Sequence, residues 1–117
     1  MRTSIPLALM SLLAACSSQA DHRFTSGDPE RGAAAISRYG CGSCHTISRI
    51  RNARGLVGPP LTDIKDRTYV AGMLPNTPEN IEHWIRQPKS VNEKTAMPDL
   101  GVTQKDASDI AAFLYSN

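Results

Sequence analysis

One near-continuous apolar run and three spaced apolar sets organise this chain. The run, Ile5 to Ala15, is 11 residues long. It is too short to cross a bilayer as a helix and has the length of a signal-peptide apolar core. A polar stretch, Ser17 to Ser26, follows, and Gly27 marks its edge. Asp28-Pro29-Glu30 then opens a helix: an oxygen-bearing cap, proline at the first helical position and an acid in the first turn. The pattern carries this helix to about Arg38 and stops it near Gly40, with Gly32 and Ile36 on one face. Gly42 to Gly58 reads as an Arg- and Gly-rich loop closed by Pro59-Pro60, and a short turn of helix is expected at Thr62 to Lys65. Thr77-Pro78-Glu79 starts a second helix, which Pro88 ends after Gln87. Thr103 to Asp106 starts the last, with Ala107, Ile110, Phe113 and Leu114 at helical spacing. No alternating strand pattern of useful length, internal repeat or low-complexity segment is visible. The reading is all-α, with more loop than a helical bundle tolerates.

Composition sharpens that picture. At 117 residues the chain has room for one domain. A net charge of +2 is too weak for a nucleic-acid footprint, and nothing beyond the N-terminus could span a membrane. Six aromatic residues, Phe24, Tyr39, Tyr69, Trp84, Phe113 and Tyr115, are all that is available for a core. So small a domain is only marginally stable on its own side chains, so a cofactor is expected at its centre.

Met1-Arg2 gives the leading run a positive start, and Leu13-Ala14-Ala15-Cys16 ends it. Small residues followed by cysteine resemble a bacterial lipobox, in which the thiol of Cys16 is lipidated and becomes the new N-terminus. Ordinary cleavage after Ser18-Gln19-Ala20 is the alternative. The first reading divides the chain into a signal peptide (1–15), a lipid-anchored tether (16–26) and a folded domain (27–117). Loss of Arg2 leaves 12 basic and 11 acidic residues. Two acyl chains anchor stably where one binds reversibly, and export places the remaining cysteines in an oxidising compartment.

Cys41-Gly42-Ser43-Cys44-His45 carries the chemistry. Two thiols three apart, followed at once by imidazole, match c-type haem attachment. The spacing lets both thiols reach the porphyrin vinyl groups while the histidine turns under the iron. A thioredoxin-like redox pair would want a βαβ context, and a zinc site a second Cys/His pair. A disulfide between Cys41 and Cys44 would close too small a loop to stabilise much. The candidates for the iron's sixth ligand are Met73, Met97, His22 and His83. Met97 is favoured: it lies 52 residues after His45, in the stretch Val91 to Asp99 between two helices, with Pro98 next to it. His/Met ligation raises the reduction potential and suits electron transfer.

The pattern resembles class I cytochromes c from Gly27 to about Tyr115. It does so through the haem motif, Gly58-Pro59-Pro60-Leu61, Pro88 nine residues before Met97, and the terminal helix pair. The resemblance implies a cytochrome c fold of four to five helices with long loops around one covalent haem c. It implies that Gly32 and Ile36 cross the last helix near Phe113, Leu114 or Tyr115. It also implies that Pro59 offers its carbonyl to His45, that Arg67 lies near a haem propionate, and that Trp84 lies beside the Met97 sulfur. One extra residue before Cys41, and Ile36 in place of an aromatic, depart from the family pattern. Met73 to Ile85 and Ala96-Met97-Pro98 look like the cytochrome domains fused to subunit II of haem-copper oxidases.

The function implied is a periplasmic, membrane-anchored electron carrier of a bacterial respiratory chain, monomeric, with cofactor-binding residues Cys41, Cys44, His45, Pro59, Arg67, Trp84 and Met97. Redox proteins are its partners, a quinol-oxidising complex as donor and a haem-copper oxidase as acceptor. The alternatives are a cytochrome subunit of a larger dehydrogenase or terminal oxidase complex, or a haem peroxidase-type enzyme. The last would need an open, polar distal position, where this sequence offers a methionine and apolar neighbours. Arg49, Arg51 and Arg54, with no acid between Cys41 and Leu61, suggest a positive patch for an acidic partner.

Overall fold

Each long helix begins at a side-chain cap three residues from the N–H it satisfies. In the computed structural model, which describes residues 26–116, Asp28 accepts from the Arg31 N–H at 2.9 Å and opens α1 (Pro29–Tyr39). The expected signal segment, Cys16, His22 and all but the last residue of the tether lie outside the described residues. Gly40, at φ 72°, ends α1 in the left-handed region that favours glycine. Two 3₁₀ turns follow, Cys41–Ser43 and Ile64–Asp66. Thr77 caps α2 (Pro78–Arg86) through the Asn80 N–H at 3.2 Å. Pro88 ends α2 and also opens a further short helix, α3 (Pro88–Val91), because a proline cannot continue a helix but suits its first position. Thr103 caps α4 (Gln104–Tyr115) through the Asp106 N–H at 3.1 Å.

A small antiparallel hairpin was not legible in the sequence. β1 (Tyr69–Val70) pairs with β2 (Leu74–Pro75), Tyr69 opposite Pro75 and Val70 opposite Leu74. Two residues per strand are too few to show alternation. The pairing is made by the turn, where Ala71 and Gly72 both take positive φ and the Met73 N–H reaches the Val70 carbonyl at 3.1 Å.

The core lies between α1, α2 and α4. Ile36, Ile81, Ile85, Ile110, Phe113 and Leu114 are buried there. The terminal helices cross as the resemblance implied, at Gly32. A side chain at that point would lie 2.0 Å from the Asp109 carbonyl oxygen and 2.9 Å from the Phe113 Cβ. Only glycine permits that approach.

Asp109 itself is a buried carboxylate with no warning in the sequence. It accepts from the Asp28 N–H at 2.8 Å, from Arg31 Nε at 2.9 Å and from Lys105 Nζ at 2.8 Å. The hydrogen-bonded Arg31 guanidinium, with Lys105 and the backbone N–H, holds its carboxyl well below the usual carboxylate range against the opposing effect of burial. One side chain thereby ties the start of α1 to the middle of α4.

Candidate functional site

The segment after α1 folds around a single imidazole. Within Cys41–His45, the N–H groups of Cys44 and His45 both reach the Cys41 carbonyl, at 3.2 and 3.0 Å, so the motif coils tightly. The following loop returns to it: Gly55 N–H to Gly42 O at 3.0 Å, Gly58 N–H to Cys44 O at 2.8 Å and Leu61 N–H to Thr46 O at 2.9 Å. This return brings the Pro59 carbonyl 2.7 Å from His45 Nδ1. A carbonyl can only accept, so Nδ1 carries the proton and Nε2 keeps its lone pair for a ligand.

Gly58 makes this possible. A Cβ there would lie 2.3 Å from Cε1 of the His45 ring. Gly58→Ala is accordingly expected to push the ring off Pro59 and destabilise the protein by about 1–3 kcal/mol. The Nδ1 proton resonance in NMR spectra, together with a thermal melt, checks this. An unshifted resonance would mean that the ring is held by other contacts.

His45 borders a cavity of about 630 Å³, a size typical of cofactor sites. Cys41, Cys44, Pro59, Arg67, Trp84 and Met97 also line it, beside apolar residues from every helix but α3. Of the sixth-ligand candidates within the described residues, only Met97 reaches the cavity. Met73 is exposed at the hairpin turn, and His83 Nε2 lies 2.7 Å from Ser90 Oγ. The Met97 loop is tethered: the Met97 N–H donates to Thr95 Oγ1 at 3.1 Å, and Lys89 Nζ donates to the Thr95 carbonyl at 2.5 Å. Arg67 donates through Nη2 to the carbonyls of Pro60 and of Thr62, the latter at 3.2 Å, and so braces the loop that carries Pro59.

Asn76 is a further wall residue that the sequence did not point to. Its amide donates to the Ile64 and Arg67 carbonyls, at 2.6 and 2.8 Å, and its oxygen accepts from the Tyr115 hydroxyl. Burial, with Glu79 and Glu82 nearby, pushes the Tyr115 hydroxyl up to about 12. It is therefore a neutral donor at any physiological pH. An isolated asparagine before a helix cap resembles any other loop residue, so no local signal existed.

The rival readings of the cysteine motif lose ground here. Among the described residues no group of three His, Cys, Asp or Glu side chains converges on a metal site. Cys41 and Cys44 are free thiols, and burial pushes the Cys41 thiol up, opposite to the lowered values of reactive redox dithiols. A large apolar cavity, two free thiols on its wall and an imidazole aimed by its other nitrogen fit a haem held at this motif.

The family model for cytochrome c matches residues 29–117. The chain belongs to the cytochrome c family. Cytochrome c domains are electron-carrying domains, and the family implies haem c binding. The chain is 34% identical over 77 residues to cytochrome c oxidase subunit 2 of Alkalihalophilus pseudofirmus, a match covering 65% of this chain and 22% of that protein. It is 35% identical over 65 residues to cytochrome c oxidase subunit 2 of Bacillus sp. strain PS3, covering 54% of this chain and 18% of that one. The cytochrome thus spans about a fifth of the length of these curated relatives. Among solved structures it resembles cytochrome c2 from Rhodobacter sphaeroides, with a TM-score of 0.56 and 25% identity, over 75% of this chain and 94% of that one. Among the described residues, no helix of this cytochrome is long and apolar enough to cross a membrane.

Proposed function

We propose that this cytochrome is a lipid-anchored periplasmic carrier of single electrons in a bacterial respiratory chain. Cys41 and Cys44 would hold one haem c through thioether bonds, and His45 and Met97 would be the ligands to its iron. The observation that carries this reading is that these four side chains line one cavity while Pro59 occupies the imidazole's other nitrogen. When bound, haem c supplies one-electron chemistry at an iron that cycles between Fe(II) and Fe(III).

The protein supplies the rest. The Pro59 carbonyl fixes the His45 tautomer and raises the basicity of Nε2. The Met97 thioether would be the second protein ligand to the iron, a ligand type that favours the reduced state. Arg67, whose Nη2 is held by the Pro60 and Thr62 carbonyls, would meet a propionate through Nε and Nη1, and Trp84 lines the same cavity as Met97. The apolar wall keeps water from the cofactor.

The similarity to oxidase subunits supports a haem-copper oxidase as acceptor, either as a free partner or with this cytochrome as a subunit of that complex. A quinol-oxidising complex is the matching donor. An absorption spectrum of the reduced and oxidised protein, with the intact mass of the membrane-extracted chain, tests the reading. It requires a low-spin spectrum indifferent to CO and the mass of one haem plus acyl chains. A high-spin spectrum that shifts with CO would remove Met97 from the ligand set.

Cys16→Ser is expected to release the protein from the membrane with haem content unchanged, because anchor and cofactor use different cysteines. Fractionation with a haem stain checks this. A wild-type N-terminus at Asp21 carrying no lipid would make the protein a free periplasmic carrier instead.

A further inference from the structure

We propose that Asn76 and Tyr115 are positioning residues for the iron ligand His45. They anchor the backbone of Arg67, whose guanidinium holds the Pro59-Pro60 loop against the imidazole. This rests on His45 being an iron ligand, as in the reading above, and extends the support of that ligand to α4, far from the haem motif in the chain.

The loop under the imidazole is short of donors. Its flanks are pinned by the Gly58 N–H on the Cys44 carbonyl at 2.8 Å and the Leu61 N–H on the Thr46 carbonyl at 2.9 Å. Between them stand two prolines, which carry no N–H, so this stretch of backbone can be hydrogen-bonded only through its carbonyls. Both carbonyls are engaged. That of Pro59 lies 2.7 Å from His45 Nδ1, and that of Pro60 accepts from Arg67 Nη2. The same nitrogen donates to the Thr62 carbonyl at 3.2 Å, just past the pair. An arginine side chain is long and rich in rotamers, so it fixes a carbonyl only where its own backbone is fixed.

Asn76 supplies that fixed point. Its backbone N–H donates to the Thr68 carbonyl at 3.0 Å, and its Nδ2 donates to the carbonyls of Ile64 and Arg67 at 2.6 and 2.8 Å. Three bonds from one residue thus bracket the Arg67 backbone. The 3₁₀ turn closes this segment less tightly by itself, since the Arg67 N–H reaches the Ile64 carbonyl at 3.2 Å. With both amide hydrogens of Asn76 on carbonyls, the amide oxygen is its remaining polar atom, and it accepts from the Tyr115 hydroxyl at 2.5 Å.

Tyr115 belongs to the last turn of α4, the helix that Asp109 ties to Asp28 and Arg31 at the start of α1. Hydrogen bonds therefore lead from the helix pair through Tyr115, Asn76 and Arg67 to the loop that meets His45. Asn76 and Arg67 both line the cavity, so this support runs along its wall. Its functional consequence lies at the imidazole, because the Pro59 contact sets the orientation and basicity of the ligating ring.

The test measures solvent exchange of the His45 Nδ1 proton by NMR in the reduced full-length holoprotein. The backbone amides of Ile36 and Ile110 serve as reference, since they report opening of the helix pair. Asn76→Ala is expected to speed Nδ1 exchange about tenfold relative to those amides, the size of one lost net hydrogen bond. Tyr115→Phe keeps the ring and removes only the hydroxyl, and should speed it about threefold. Because both residues act through Arg67, neither substitution should add to the effect of Arg67→Met, and Tyr115→Phe should add nothing to Asn76→Ala.

Nδ1 exchange that moves only in step with the Ile36 and Ile110 amides would make the two residues ordinary stabilisers of the fold and overturn the proposal. Effects that add in full to Arg67→Met would overturn it as well, since they would bypass the guanidinium. A wild type whose His45 ring protons lack the large ring-current shift of a haem ligand would refute the ligand reading itself, and this proposal with it.

Discussion

Met97→Ala is expected to leave the haem attached and to open the iron's sixth position to outside ligands. The proposed attachment is through Cys41 and Cys44, which lie in a separately folded turn, whereas Met97 reaches the cavity on a loop held by Thr95 and Lys89. With Met97 as the proposed ligand, the open state of the wild type would be scarce, at about 1% if it follows the usual minor-state range. Removing that competitor should raise imidazole affinity roughly a hundredfold, since apparent affinity scales with the competent fraction. The potential should fall, because thioether ligation favours Fe(II). Titration with imidazole and a redox titration measure both effects. Unchanged affinity and potential would show that Met97 is not a ligand, and among the remaining candidates His22 would then be tested first.

Asp109→Ala should be among the most destabilising single substitutions in the domain. Asp109 is 2% exposed and accepts from the Asp28 backbone, Arg31 and Lys105 together. Removing a buried hydrogen-bonded carboxylate costs about 2–4 kcal/mol, reduced from the extreme because Arg31 and Lys105 can turn to water. At about 4–8 °C per kcal/mol for a domain of this size, the melting temperature should drop on the order of 10–30 °C.

The pH dependence follows from the direction of the shift. The folded carboxyl is held below its unfolded value, so its contribution is fully present above about pH 4. It is lost as pH falls through the folded value. Melts of wild type and Asp109→Asn at stepped pH should therefore converge in acid. A gap constant from neutral pH to pH 2 would show that charge is not the source of the stabilisation.

What could be read from the sequence was local. A helix cap joins a side chain to an N–H three residues on, so Asp28, Thr77 and Thr103 declared their helices from neighbours alone. The haem motif is equally local, since five consecutive residues carry both thiols and the imidazole. Pro59 was reached through family resemblance, and its carbonyl does meet the imidazole.

What depended on tertiary structure joins residues far apart in the chain. Asp109 meets Arg31 across 78 positions, and Tyr115 meets Asn76 across 39. Neither pair has a spacing that a pattern could reveal. The hairpin β1–β2 exists because of a positive-φ turn, since its strands are too short to alternate. Three arginines in six residues looked equivalent, yet Arg49 alone falls beside Phe113 once α4 crosses α1. Met73 and Met97 likewise carry the same side chain, and only the course of the two loops puts one at a solvent-exposed turn and the other on the cavity wall. The sequence by itself determined which elements form and which chemistry is present, because those rest on contacts within a few residues. Which copies of a residue type reach the site was decided by the helix crossing at Gly32 and the loop return at Gly58, where backbone approaches too close for any side chain set the geometry.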